Sequence, residues 1–149
     1  MSLSHAVKII PFFTSPHLTS LLDFYRSYFP DFQISTHPAD TAEPTFASIA
    51  AGPGAAANIY ILQDEKRARG SCMIMMSTVS ALDDLYGRLV GQGLRPSGAV
   101  DWTGTPQSAD ESRPQTAMGP AEDKTWGYRQ FDLIDPHGNM IVFFAFLEE

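Results

Sequence analysis

The same pattern of apolar and polar residues occurs twice along the chain. A mainly apolar, strand-like run is followed by a stretch with apolar residues at helical spacing, and then by three more strand-like runs. The order begins again after an offset of about 65 residues, which is too long, and repeated too few times, for a solenoid array. The pattern therefore predicts two βαβββ modules, at about 5–66 and about 70–147, that share one core within a single domain, 1–149.

Each module contains one predicted helix. In the first, Ser15 is a suitable N-cap and Pro16 suits the first helical position, while Pro30 ends the apolar spacing. In the second, Ser80 is the predicted N-cap and Gly91 lies near the predicted end. These signals place one helix after the first strand of each module.

The predicted strands are β-branched or aromatic runs separated by turns that contain Pro or Gly. They lie at 6–14, 31–39, 45–51, 56–63, 71–78, 98–102, 128–134 and 140–146. The last two form a closing hairpin around Asp135-Pro136-His137-Gly138. Residues 104–123 are polar and show no period, so they form either a disordered or plain loop or a mobile flap over a site.

Composition narrows the class of protein. The formal net charge of −7 argues against nucleic-acid binding, which needs clustered Lys and Arg. No apolar run approaches the roughly 20 residues that span a bilayer, and the N-terminus lacks the pattern of a signal peptide. The lone Cys72 excludes an internal disulfide and fits a reducing compartment, where it serves as a small core residue. We therefore expect a cytoplasmic globular protein that has no membrane or nucleic-acid partner.

Three features together resemble the vicinal oxygen chelate superfamily, which includes glyoxalase I, extradiol dioxygenases, fosfomycin-resistance enzymes and bleomycin-resistance proteins. They are LLDFYRSYF at 21–29, TWGYRQFDLIDPHGN at 125–139, and the duplicated βαβββ order. The likeness extends from about Ala6 to Phe146. It implies a glyoxalase-like α+β fold, in which tandem βαβββ modules form curved mixed sheets around a cleft, and it implies a homodimer.

The resemblance also locates the metal-ligand positions of the family. Metal-using members hold a divalent ion by a His on the first strand, a His on the fifth and a Glu on the eighth. These positions fall at Ile10, at Ile74 or Met75, and at Val142 in this chain. Apart from the weak thioether of Met75, none of these side chains can bind such an ion. We therefore expect no metal site and no cofactor.

Other groups could supply a relocated site. His5 lies an odd number of residues before Ile10 and so points to the opposite face of a regular strand, and His137 occupies the turn, where it is expected to point to solvent. A lyase, isomerase or dioxygenase of the same superfamily would need His5, Glu43 or Glu65 to converge on the cleft. This enzyme is the alternative to a binding protein.

The residues that share the face of the lost ligands, together with nearby aromatic residues, are expected to line the cleft. The predicted ligand-binding residues are Phe12, Tyr60, Met75, Trp102, Trp126, Tyr128, Met140, Val142 and Phe144. Stacking on such side chains holds planar or cationic molecules, each contact adding about 0.5–2 kcal/mol. We expect a metal-independent protein of the glyoxalase/bleomycin-resistance type that binds an apolar or aromatic small molecule, which could be cationic. Aromatic residues at alternating spacing also occur in hydrophobic cores. A further hypothesis is therefore a dimerisation or regulatory module whose cleft is filled by its own side chains.

Two charged residues near the final turn have structural interpretations. Arg129 is expected to anchor its strand by pairing with Asp132 or Asp135. Asp135 is expected to accept backbone hydrogen bonds within the turn.

Overall fold

The computed structural model describes residues 3–94 and 116–147, which form two helices and two β-sheets. The helices are α1 (Leu18–Tyr28) and α2 (Val79–Gly91), and single 3₁₀ turns lie at Leu3–His5 and Pro53–Ala55. The strands are β1 (Phe12–Ser15), β2 (Gln33–His37), β3 (Phe46–Ala51), β4 (Ala57–Gln63), β5 (Ser71–Met75), β6 (Ala117–Met118), β7 (Glu122–Asp123), β8 (Tyr128–Ile134) and β9 (Met140–Phe146). Neither helix of the described part is long and apolar enough to cross a membrane.

The two sheets repeat one arrangement. Sheet 1 has the order β1-β4-β3-β2, and sheet 2 has the order β5-β9-β8-β6, with β7 also paired to β8. In each sheet the strand before the helix lies parallel to the last strand, and the other neighbours are antiparallel. The predicted α+β class and the closing hairpin are confirmed.

One hydrophobic core contacts both sheets and both helices, because alternate residues of each strand point towards the helices. Its fully buried members include Leu21 and Tyr25 of α1, Leu82 and Leu89 of α2, Ile49, Ile59 and Ile61 of sheet 1, and Phe131, Leu133 and Ile141 of sheet 2. The rings of Phe29, which follows α1, and Phe143 on β9 stack with centroids 5.7 Å apart. We call the sheet faces that point away from this core the outer faces.

The first strand is shorter than the sequence pattern indicated. The run 6–14 predicted a strand, but the ladder between β1 and β4 begins at Phe12. Pro11 has no N–H to donate, and only its carbonyl bonds to sheet 1, by accepting the N–H of Tyr60 at 3.0 Å. Regular strand pairing therefore starts after this proline.

Both predicted helix caps are wrong. Ser15 is the last residue of β1, and α1 is preceded by His17, which makes no side-chain cap. The Oγ of Ser15 accepts the N–H of His17 at 2.9 Å, so it binds the connection before the helix. In the second module the N-cap is Thr78 rather than Ser80, and its Oγ1 accepts the N–H of Ala81 at 3.0 Å.

The long polar stretch contains structure at its C-terminal end. Where a loop or flap was predicted at 104–123, Ala117–Met118 and Glu122–Asp123 pair with β8. Strands of two residues are too short to show a period, so the pattern could not reveal them. The predicted strand 98–102 lies outside the described residues, as does most of the stretch.

Candidate ligand-binding site

Asn139 joins the two sheets at the turn between β8 and β9. Its Oδ1 accepts the N–H of Thr14 at 3.1 Å and the N–H of Gly70 at 2.9 Å. Its Nδ2 donates to the carbonyl of Thr14 at 2.9 Å and to the carboxylate of Asp135 at 3.0 Å. Asn139 is fully buried, so these four bonds satisfy the amide completely and hold β1 beside the start of β5.

Asp135 organises the same turn, as the sequence predicted. Its Oδ1 accepts the N–H groups of His137 and Asn139, and its Oδ2 accepts the hydroxyl of Tyr25 at 2.8 Å. Burial raises the pKa of Asp135 to about 6, although the hydrogen bonds oppose this shift. The turn is thereby tied to α1 through Tyr25.

The side chain of His137 is half-buried against the start of α1, so the prediction that it points to solvent is wrong. Its Nδ1 lies 2.6 Å from Ser15 Oγ and its Nε2 lies 3.4 Å from Ser20 Oγ. Ser15 Oγ already accepts the N–H of His17, and Ser20 donates to the carbonyl of His17, so a neutral ring protonated on Nε2 satisfies every partner. Burial, with Arg69 and His17 nearby, lowers the pKa of His137. These bonds give the imidazole a structural role.

The positions that the resemblance assigns to metal ligands do not fit a divalent ion. Val142 is 2% exposed on the outer face of sheet 2, and Met75 lies on that face two strand positions further along. Ile74 packs against the core instead, and Ile10 precedes β1. Hydrocarbon and a thioether are poor ligands for hard or borderline cations.

The residues proposed for a relocated site do not gather. His5 lies in the N-terminal 3₁₀ turn, and Glu43 and Glu65 lie in loops, all exposed. Within residues 3–94 and 116–147, no three His, Cys, Asp or Glu side chains come close enough together to hold a metal ion.

Two predicted ligand-binding residues lie together on the outer face of sheet 1. Phe12 and Tyr60 are neighbours across β1 and β4, and their rings meet edge to face with centroids 5.8 Å apart. Phe46 on β3 contacts the other side of Tyr60 at 5.0 Å. The sheet thus carries a row of three aromatic rings, of which Phe12 is exposed.

A larger group occupies the outer face of sheet 2. Met75 is the register neighbour of Phe144, and the ring of Tyr128 lies 4.7 Å from that of Phe144 and 5.1 Å from that of Phe146. Trp126 precedes β8 and reaches the same face. We call the set the outer patch; it comprises Met73, Met75, Trp126, Tyr128, Phe144 and Phe146. Four of its members are more than half exposed: Met73 54%, Met75 59%, Trp126 59% and Phe146 58%.

The remaining predicted residues have different settings. Met140 and Val142 are buried in a small cluster with Ile134 and Ala117 on the outer face of sheet 2, so they support the outer patch but present little surface. Trp102 lies outside the described residues.

The predicted partners of Arg129 are wrong. Its guanidinium pairs with Asp83 of α2 at 2.8 Å and with Asp123 of β7 at 3.0 Å. Asp132 and Asp135 were chosen because they are near in sequence, whereas folding brings Asp83 close from 46 residues away. Arg129 therefore anchors β8 to its neighbours, as expected, but Asp132 remains available.

Asp132 is the polar residue that sequence reasoning missed. It faces outward opposite Val142, and its Oδ1 accepts a hydrogen bond from Gln130 Nε2 at 3.2 Å. Gln130 in turn accepts the indole N–H of Trp126 at 3.3 Å, which links the carboxylate to the outer patch. Among the described residues Asp132 has no ion-pair partner, and partial burial raises its pKa. The alternation of Tyr128, Gln130 and Asp132 along β8 was a signal that could have placed it on this face.

Comparison with known proteins supports the fold. The chain is similar to the bleomycin-binding protein of the bleomycin producer Streptomyces verticillus, in complex with copper(II)-bleomycin, with 21% identity, a TM-score of 0.61, and coverage of 95% of this chain and 97% of that one. The bleomycin resistance determinant encoded on transposon Tn5 is 14% identical with a TM-score of 0.66, and the likeness covers 96% of this chain and 100% of that one. The lactoylglutathione lyase of Agrobacterium tumefaciens is 9% identical with a TM-score of 0.62, and the likeness covers 95% of each chain.

No protein-family model matches the sequence, and no curated protein matches it either. The three-dimensional likeness nevertheless covers nearly the whole chain in each of these structures. The resemblance that the motifs indicated is thus confirmed for the architecture: this chain has the fold of the glyoxalase and bleomycin-resistance proteins.

Proposed function

We propose that this chain is a binding protein that holds a small aromatic cation on the outer face of sheet 2, without a divalent metal ion. The observation that carries the proposal is the outer patch, an exposed group of methionine and aromatic side chains beside the carboxylate of Asp132. Exposed apolar groups of this kind mark binding surfaces when polar groups accompany them.

The apolar half of the recognition comes from stacking. Tyr128, Phe144 and Phe146 already contact one another, so their rings are held in place before a ligand arrives. Met73 and Met75 flank them with polarisable thioethers, which adapt to irregular ligand shapes. A planar ligand gains about 0.5–1.5 kcal/mol for each ring contact beyond the area that it buries.

The charged half comes from Asp132. Its carboxylate is partly desolvated, and the described residues supply one hydrogen bond and no ion pair, while the charge of Lys124, which lowers the pKa of Asp132, is opposed by that of Glu122. The nearby Lys124 is occupied by Glu122, with which it pairs at 2.6 Å. A ligand cation would therefore offset the desolvation of Asp132, and the net charge of −7 would favour its approach.

Solved structures provide a precedent for such a ligand on this fold. The Streptomyces verticillus protein is complexed with copper(II)-bleomycin, and another bleomycin-binding protein, with 14% identity and a TM-score of 0.63, is complexed with bleomycin. Bleomycin is thus a suitable first probe. Bleomycin serves only as a representative of the ligand class. The ligand of this chain is a molecule with a ring that stacks on aromatic side chains and with a positive charge.

The proposal includes a cytoplasmic homodimer. Leu3, Val7 and Ile9 in the N-terminal segment are exposed, as is Phe12 on the outer face of sheet 1, and a second copy would cover such apolar groups. Sedimentation velocity at several protein concentrations measures the oligomeric state directly, and a monomer at all concentrations would refute this part.

Isothermal titration calorimetry tests the binding function. The probes are metal-free bleomycin, the aromatic cation acridine orange and the aromatic anion 8-anilinonaphthalene-1-sulfonate, each added to protein dialysed against EDTA. We expect both cations to bind with 1:1 stoichiometry. Asp132→Asn should lower the affinity for the cations about tenfold, because a charge-assisted contact is lost. The affinity for the anion should stay unchanged or rise slightly. Asp40→Asn, an exposed carboxylate in a loop of the first module, is the matched control.

Two outcomes would contradict the proposal. Equal affinity of wild type and Asp132→Asn for the cations would remove the assigned role of this carboxylate. Tight stoichiometric uptake of Zn, Ni, Mn or Fe(II), measured by elemental analysis after soaking, would instead favour the metal-dependent enzyme of the same superfamily.

A further inference from the structure

Gln130 links the aromatic half of the proposed ligand site to its charged half. It lies on β8 opposite Phe144 and is only 2% exposed. Its Oε1 accepts the indole N–H of Trp126 at 3.3 Å, and its Nε2 donates to Oδ1 of Asp132 at 3.2 Å. An indole N–H only donates and an ionised carboxylate only accepts, so these two neighbours fix which way the amide points.

These bonds leave Asp132 with one oxygen for a ligand. Its Oδ1 is held by Gln130, whereas its Oδ2 has no partner among the described residues. Within the same residues, Arg88 Nε is the only buried side-chain nitrogen or oxygen that lacks a partner, so Oδ2 of Asp132 retains accessible surface. A carboxylate that is held through one oxygen by a buried amide offers its other oxygen in a fixed direction, which suits a directional donor.

The indole of Trp126 is less suited to hold the ligand cation. Trp is the strongest cation–π partner among the aromatic side chains, but one face of this ring already holds a cation, since Nζ of Lys124 lies 5.9 Å from the ring centroid. The indole N–H is bonded to Gln130. A second cation at that face would meet Lys124, so we expect the positive group of the ligand at Oδ2 of Asp132.

We propose that the cation of the ligand carries an N–H, as a ring-protonated acridine or an amidinium does, and that Gln130 is the positioning residue that directs Asp132 towards it. The inference rests on the proposed function, because it specifies the ligand class of the same site. An N–H that donates to Oδ2 forms a charge-assisted bond, which a fully N-alkylated cation of the same charge lacks. This bond should separate the two classes of cation by about fivefold in affinity.

Isothermal titration calorimetry with two acridines measures this preference. Acridine orange is protonated on its ring nitrogen at neutral pH, and its ring-N-methyl derivative has the same ring system and charge but no N–H. We expect the wild type to bind acridine orange about fivefold more tightly, and Asp132→Asn to bind the two equally. Equal affinities in the wild type would overturn the proposal. So would a preference that persists in Asp132→Asn, because it would come from the bulk of the added methyl group.

Gln130→Met tests the positioning role, with Gln33→Met at an exposed position of β2 as the matched control. Removing the amide of Gln130 should reduce the preference to below about twofold, whereas the control should retain it. Without ligand, the indole N–H proton resonance of Trp126, assigned by its loss in Trp126→Phe, should move upfield in Gln130→Met because its acceptor is gone. An unchanged preference or an unchanged resonance would refute the role of Gln130. If Gln130→Met does not fold, the two acridines on the wild type and on Asp132→Asn still decide.

Failure of this inference is distinguishable from failure of the proposed function. If neither acridine binds, both are wrong. If both acridines bind equally well to the wild type and Asp132→Asn weakens both, the binding site stands and only the N–H requirement is wrong.

Discussion

Replacing Asn139 by alanine tests how the two modules are held together. The substitution removes an amide that makes four hydrogen bonds at 2.9–3.1 Å. It leaves the N–H and carbonyl of Thr14 and the N–H of Gly70 without their partner. Thr14 is almost fully buried, so water reaches its two groups poorly, whereas Gly70 is partly exposed.

The expected loss follows from these groups. A buried backbone group left without a partner costs about 1–3 kcal/mol, and the partial exposure of Gly70 lowers its share. The free energy of unfolding should therefore fall by about 3–5 kcal/mol, at the upper end of single substitutions. For a chain of 149 residues this corresponds to a decrease in Tm of about 10–15 °C.

Urea unfolding followed by circular dichroism measures this loss, with Asn58→Ala as the matched control. Asn58 also donates two side-chain bonds, to Ser48 and to the carbonyl of Ile49, but at a partly exposed position. We expect that variant to lose about 1 kcal/mol. A loss below about 1.5 kcal/mol for Asn139→Ala, or equal losses for the two variants, would refute the view that this amide joins the sheets.

Three further predictions follow from buried or crowded positions. The carboxyl of Asp135 should titrate near pH 6 by carbon NMR, and a midpoint below 4 would contradict this prediction. Because this pKa lies above the unfolded value of 3.8, the protonated carboxyl contributes about 3 kcal/mol to the free energy of unfolding. That contribution is fully present below about pH 4 and is lost as the pH rises through 6. Gly70→Ala should destabilise the protein by several kcal/mol in thermal unfolding, because an added Cβ would lie 2.0 Å from the carbonyl oxygen of Phe12, whereas Gly87→Ala in open space within α2 should gain about 1 kcal/mol. Burial raises the pKa of Cys72 to about 12, so Ellman's reagent at pH 8 should react with it only after unfolding, and rapid reaction with the native protein would exclude this burial.

Several elements were predictable because their periods are long and unbroken. The helical apolar spacing that Pro30 ends predicted α1, and its residues Leu18, Leu21, Leu22 and Tyr25 are all buried. The caps were not predictable to the residue, because Ser15 could serve either as a cap or, as it does, as a partner of His137. That choice depends on a turn 122 residues away.

The candidate site also has features that the sequence predicted and features that it did not. Alternation placed Met75, Tyr128 and Phe144 on one face, and register neighbours and ring contacts show that they meet there. The availability of Asp132 could not be foreseen, because Arg129 had a suitable carboxylate nearby in sequence. The fold brings Asp83 and Asp123 to Arg129 instead.

The amino-acid sequence by itself determined both helices and the longer strands, and it placed apolar side chains at the positions that the resemblance assigns to metal ligands, since both follow from residue type and spacing along the chain. Only the tertiary structure decided which polar groups meet. Asn139 with Thr14, His137 with Ser15, and Arg88 with Asp31 are each separated by more than 50 residues. Hydrogen bonds and ion pairs act over a few ångströms, so their partners are chosen by the packing of whole modules.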